Sequence, residues 1–77
     1  MNKPRRKWLE DIYERLETIK GELEDISNEE QEAYDNLPEG IQYSERGDAM
    51  EENISDIDDA ASGVEDIMER LQEIIER

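Results

Sequence analysis

The chain has 77 residues, enough for one small domain, and carries 24 acidic against 9 basic residues for a net charge of −15. It has no Cys and no His, so a disulfide staple and a zinc site of ordinary composition are both excluded. The longest apolar runs are pairs such as Trp8-Leu9 and Ile74-Ile75, which predicts neither a signal peptide nor a membrane span and leaves a soluble, cytoplasmic chain as the expectation.

The charge is segregated. Lys3, Arg5, Arg6 and Lys7 put four positive charges into the first seven residues, leaving −19 on the remainder. Few aromatics with so high a charge ordinarily mean disorder, but hydrophobic periodicity overrules that reading. Leu9, Ile12, Leu16, Ile19, Leu23 and Ile26 are spaced 3, 4, 3, 4, 3, an a/d heptad stripe that gathers one helical face. Continued, the same register puts Glu30 at a, Ala33 at d and Leu37 at a. Pro4 suits the first turn of this helix, where its missing N–H is not needed. Pro38 and Gly40 end it, which predicts a first helix over 4–36. Gly21 weakens it by about 1 kcal/mol relative to Ala. Ser27-Asn28-Glu29-Glu30 offers a second capping box, so a kink near Ser27 is the alternative to a continuous helix.

After a linker over 37–43, Met50, Ile54, Ile57, Ala61, Val64, Met68, Leu71 and Ile75 repeat the heptad without a phase slip. Ser44 is positioned to cap this second helix, 44–76, with Glu45 and Asp48 in the dipole-favoured first turn. Two helices of equal length, each roughly 50 Å, joined by a short linker predict an all-α fold. It is a coiled-coil-like antiparallel two-helix hairpin forming a single domain over 1–77. Leu37, Ile41 and Tyr43 are expected to cover its closed end, and the basic N-terminus to pair with Glu69, Glu73 and Glu76. The g positions of the second helix, Asn53, Ala60, Ile67 and Ile74, are mostly apolar. Its hydrophobic face is therefore wider than one partner helix covers. The expectation is assembly into a four-helix bundle, with Trp8, Tyr13, Ala60, Ile67 and Ile74 as the candidate oligomer interface.

No motif specifies a reaction. Asp56, Asp58 and Asp59 point in different directions on a helix and lack the spaced Asp/Asn loop of a calcium site. The carboxylates have neither nucleophile nor pocket beside them. No catalytic residue, metal ligand or cofactor is predicted, and the chain is not expected to be an enzyme or to take a small-molecule substrate. Four cations against a −19 body are poorly suited to binding nucleic acid directly. Carboxylates strung along a helical rod instead imitate phosphate spacing and steer association with basic protein surfaces. The candidate partner-binding residues are Glu32, Tyr34, Asp35, Glu39, Tyr43, Glu45 and Asp48, where negative charge and aromatic anchors converge at the linker. The alternative role is a homo-oligomeric scaffold whose acidic faces only keep it soluble. Predicted partners are thus a second copy, a host protein with a basic surface, or both, and no membrane.

The run from Glu32 to Gly47 resembles the linker of short acidic helical proteins of Gram-positive bacteria and their phages. There a Tyr-x-Asn-(Ile/Leu)-Pro-Glu-x-(Ile/Leu)-Gln-x-Ser-Glu-Arg pattern joins two Glu/Leu-rich helices, as Tyr34 to Arg46 do here. That group has no settled activity. The resemblance implies a small phage-type accessory protein, for which inhibition of a host protein is a common role, and it transfers no functional residue.

Overall fold

The computed structural model describes all residues from 1 to 77 and is helical throughout, without a strand: α1 (Lys3–Asp35), α2 (Glu39–Gln42) and α3 (Glu45–Glu76). The two long helices lie side by side and antiparallel, as the pairs Arg6–Ile75, Lys20–Glu65 and Ser27–Asp58 require. Together they make a rod whose backbone measures 59 × 14 × 12 Å. No helix is long and apolar enough to cross a membrane.

Local chemistry accounts for each boundary. The Asn2 side chain accepts from the Arg5 amide at 2.9 Å and Pro4 occupies the first turn, so two of the needs of a helix N-terminus are met before the first heptad. α1 runs unbroken through Gly21 and Ser27. Ser27 does not start a new helix; it is buried, and its hydroxyl donates to Asp58 Oδ1 at 2.6 Å. Pro38 closes α1 and begins α2, a single turn inside the segment that reads as an irregular linker from sequence. The Gln42 amide donates back to the Tyr34 carbonyl at 3.0 Å. Ser44 sits at the N-cap position of α3 but makes no capping bond, because its hydroxyl donates to the Ile41 carbonyl instead.

Gly47 is the residue that lets this corner close. A Cβ there would stand 2.0 Å from the Gln42 carbonyl oxygen, far inside any tolerable contact, so a side chain would push α3 away from the linker. Tyr34, Gln42 and Gly47 thus form one locked corner, and all three lie in the distinctive linker segment. Leu37 is half-buried there, whereas Ile41 and especially Tyr43, 77% exposed, do not cover the end as expected.

At the opposite end the tie between the termini is Arg6, whose guanidinium donates to the Ile75 carbonyl at 2.7 Å. A cation on the unsatisfied carbonyls of a helix C-terminus is favourable on both hydrogen-bonding and dipole grounds. The expected ion pairs with Glu69, Glu73 and Glu76 do not form. Lys7 pairs within its own helix, with Asp11 at 3.1 Å.

The seam of α3 is the one its heptads predict, from Gly47 through Met50, Ile54, Ile57, Ala61, Val64, Met68, Leu71 and Ile75, all buried or half-buried. The seam of α1 is rotated from the expected one. Leu9, Leu16, Leu23 and Leu37 face α3, with Glu30 half-buried among them. The second row against α3 is polar, though: Tyr13, Lys20, Ser27 and Tyr34. The isoleucine row expected there turns outward, with Ile19 at 44% and Ile26 at 50% exposure and Ala33 exposed. Bonding favours this rotation, since Lys20 and Ser27 find partners on α3, Glu65 and Asp58, that isoleucines could not use.

Candidate interaction surfaces

The polar row of α1 meets a heptad-spaced row of acids on α3. Lys20 forms an ion pair with Glu65 and another, at 3.4 Å, with Glu24 of its own helix. The hydrogen bond to Glu65, with the charge of Glu24 adding to it, holds the Lys20 ammonium above its ordinary range. Ser27 donates to Asp58. The Tyr34 phenol is pushed up to about 12, first by hydrogen bonding to Glu51, then by partial burial and by the charge of that carboxylate. Each step of seven along α1 is matched by a step of seven back along α3, so these contacts pin the antiparallel register. Burying an unpaired polar group would be costly, and here no buried side-chain polar atom lacks a partner.

That register divides the rod lengthwise. On the side of the polar row lie Glu10, Glu17 and Glu24 of α1 and Glu51, Asp58 and Glu65 of α3. Between them runs a shallow groove lined by Lys20, Glu24, Asp58, Ala61, Ser62, Glu65 and Asp66. Its single cation is neutralised by two carboxylates, so the edge reads as continuous negative charge. The groove is open to solvent along its length, and its Lys20 ammonium is held between Glu24 and Glu65.

On the other side the heptad geometry brings Ile12 level with Ile74, Ile19 with Ile67, Ile26 with Ala60 and Ala33 with Asn53. The result is an apolar ledge. Ile67 is 50% exposed and Trp8 64%, and Trp8 extends the ledge into a hollow shared with Met1, Arg5, Leu9 and Ile12.

Of the residues singled out as an oligomer interface, Trp8, Ala60, Ile67 and Ile74 fall together on the ledge, while Tyr13 lies half-buried in the polar row on the opposite side of the leucines. Of those singled out for partner binding, Glu32, Asp35, Glu39, Glu45 and Asp48 are exposed around the linker end. Asp35 accepts from Gln31 at 2.9 Å. Tyr34 is half-buried, leaving Tyr43 as the open aromatic there. Sequence reasoning missed Gly47 and the polar row. The signal for the latter was present, since Tyr13, Lys20, Ser27 and Tyr34 recur every seven residues, as do Glu51, Asp58 and Glu65. The chain matches no protein-family model, no curated protein and no solved structure.

Proposed function

We propose that the protein is a small acidic binding module, a two-helix hairpin that occupies a basic or nucleic-acid-handling surface of another protein in the manner of a phage-type inhibitor of a host defence protein. The observation that supports this is the acidic edge, on which carboxylates recur every helical turn or two beside a groove whose only cation is already paired. A low-curvature row of negative charge presents to a basic groove much what a nucleic-acid backbone presents, and it accelerates encounter through long-range attraction. The linker end adds Glu32, Asp35, Glu39, Glu45 and Asp48 with the exposed ring of Tyr43, a charged rim around an aromatic anchor.

Capture of host proteins from a lysate at low and at high salt tests this reading. The expected result is retention of a basic protein that salt releases. The variant Glu32→Gln, Asp35→Asn, Glu39→Gln, Asp48→Asn should then associate with that protein about tenfold more slowly, with a flatter salt dependence and unchanged helicity. Equal association rates would rule out the linker end as the contact, and no salt-labile retention of any basic protein would rule out the acidic edge as well.

The second reading, a homo-oligomeric scaffold bundle, is favoured by the apolar ledge. A single helix pair leaves that ledge facing water, and a four-helix bundle would bury it.

A further inference from the structure

The geometry points to a specific occupant of the apolar ledge: a second copy of this chain turned end for end about a two-fold axis that crosses the ledge at mid-length. This goes beyond the binding of a basic partner and holds whether or not the acidic edge binds anything, because the two surfaces lie on opposite sides of the seam.

The need for an occupant follows from how little one chain encloses. Ala61 and Met68 are its only buried apolar residues, and no large side chain is wholly buried, a thin core for a chain this size. The identity of the occupant follows from bulk and charge along the ledge. Bulk tapers from Ile12 and Ile74 near the termini to Ala33 and Asn53 near the linker. An end-for-end copy sets Ile12 against Ala33, Ile74 against Asn53, Ile19 against Ile26 and Ile67 against Ala60, so each layer receives large and small side chains together. A copy in the parallel sense would stack isoleucine on isoleucine at one end and leave only Ala33 against Asn53 at the other.

Charge on the rim selects the same orientation. One helical turn outward from the ledge stand Arg15 and Arg70 towards the termini, and Glu29 and Asp56 towards the linker. All four are exposed, and none takes part in an ion pair within the chain. In the end-for-end pair Arg15 comes level with Glu29 of the second copy, and Arg70 with Asp56. In a parallel pair Arg15 would lie beside Arg70 and Glu29 beside Asp56, like against like. Glu22, near the axis, meets its own counterpart at the wet rim, the one unfavourable pairing. The carboxylates of the acidic edge stay on the outer surface, so a −15 chain can pair with itself while its densest charge remains hydrated.

Sedimentation equilibrium of the intact chain from about 1 to 100 µM, a range that brackets an ordinary weak homodimer, is expected to give a dimer. Arg15→Glu should raise the dimer dissociation constant about tenfold, since each two-fold interface changes two attractive pairs into repulsive ones. Adding Glu29→Arg to the same chain should restore it, with circular dichroism showing unchanged helix content in both. The absence of native Cys makes trapping clean. Glu22→Cys alone should oxidise to a linked dimer; Arg15→Cys should do so only when mixed with Glu29→Cys. A monomer at every concentration, an Arg15→Cys chain that links to itself, or a charge-swapped chain no tighter than Arg15→Glu would each overturn the proposal.

Discussion

Replacing Met68 with alanine is expected to lower the unfolding free energy by about 2–3 kcal/mol, at the lower end of the range for removing a long apolar side chain from a packed site. Met68 is 7% exposed and, after Ala61, the most enclosed apolar side chain in the molecule. It stands on α3 between Val64 and Leu71 of the seam, facing the leucine row of α1. A chain with only two buried apolar residues has little margin for such a loss, and the melting temperature should fall by roughly 10 °C or more. Urea unfolding of parent and variant at one fixed protein concentration checks this, because self-association makes the midpoint depend on concentration. An unchanged midpoint would mean that the α1–α3 seam is not where stability resides.

The second large effect is expected at alkaline pH. Tyr34, Lys20 and Lys7 all have folded-state pKa values raised above their ordinary ones: Tyr34 to about 12 by Glu51, Lys20 by Glu65 and Glu24, Lys7 by Asp11. A raised pKa means that the folded state holds its proton more tightly than the unfolded chain. The associated stabilisation is complete below the unfolded pKa, near 10, and disappears as pH climbs towards 12. Above that, a phenolate would face Glu51 and a neutral amine would leave Glu65 uncompensated on an edge already crowded with acid. Melting curves should drop between pH about 10 and about 12, and Tyr34→Phe should blunt the drop. The phenolate absorbance lost on that substitution should be the part that titrates near 12. A melting temperature that does not change over this interval would show that the polar row contributes nothing to the register.

Why α3 was legible and α1 was not is a matter of how many apolar rows each helix carries. On α3, the residues at heptad a and d are nearly all apolar and the acids fall elsewhere, so one orientation satisfies every side chain. On α1, the leucine row is flanked on one side by isoleucines and on the other by Tyr13, Lys20, Ser27 and Tyr34. Hydrophobic pattern alone chooses the isoleucines. The fold chooses the polar row, because Glu51, Asp58 and Glu65 are spaced to meet it, a pairwise property that no single-helix periodicity contains. The same rotation creates the ledge. Four of its residues were visible as a wide face on the second helix, but their alignment with Ile12, Ile19 and Ile26 depends on the register between helices. The linker was legible as a turn, while its closure through Gly47 and Gln42 depends on a backbone approach that composition does not encode.

The antiparallel arrangement also sets an order on how the chain closes. Ser27 and Asp58 are 31 residues apart in sequence, Lys20 and Glu65 lie farther apart, and Arg6 and Ile75 are separated by 69. The loop each contact must close therefore lengthens steadily from the Tyr34–Gln42–Gly47 corner to the termini, and with it the entropy lost on closing it. Zippering should start at the corner and travel outward, with the Arg6–Ile75 tie the last contact made and the first to open. Amide hydrogen exchange along both long helices should then quicken towards the chain ends, which makes the corner the nucleus and the termini the fraying edge of the same rod.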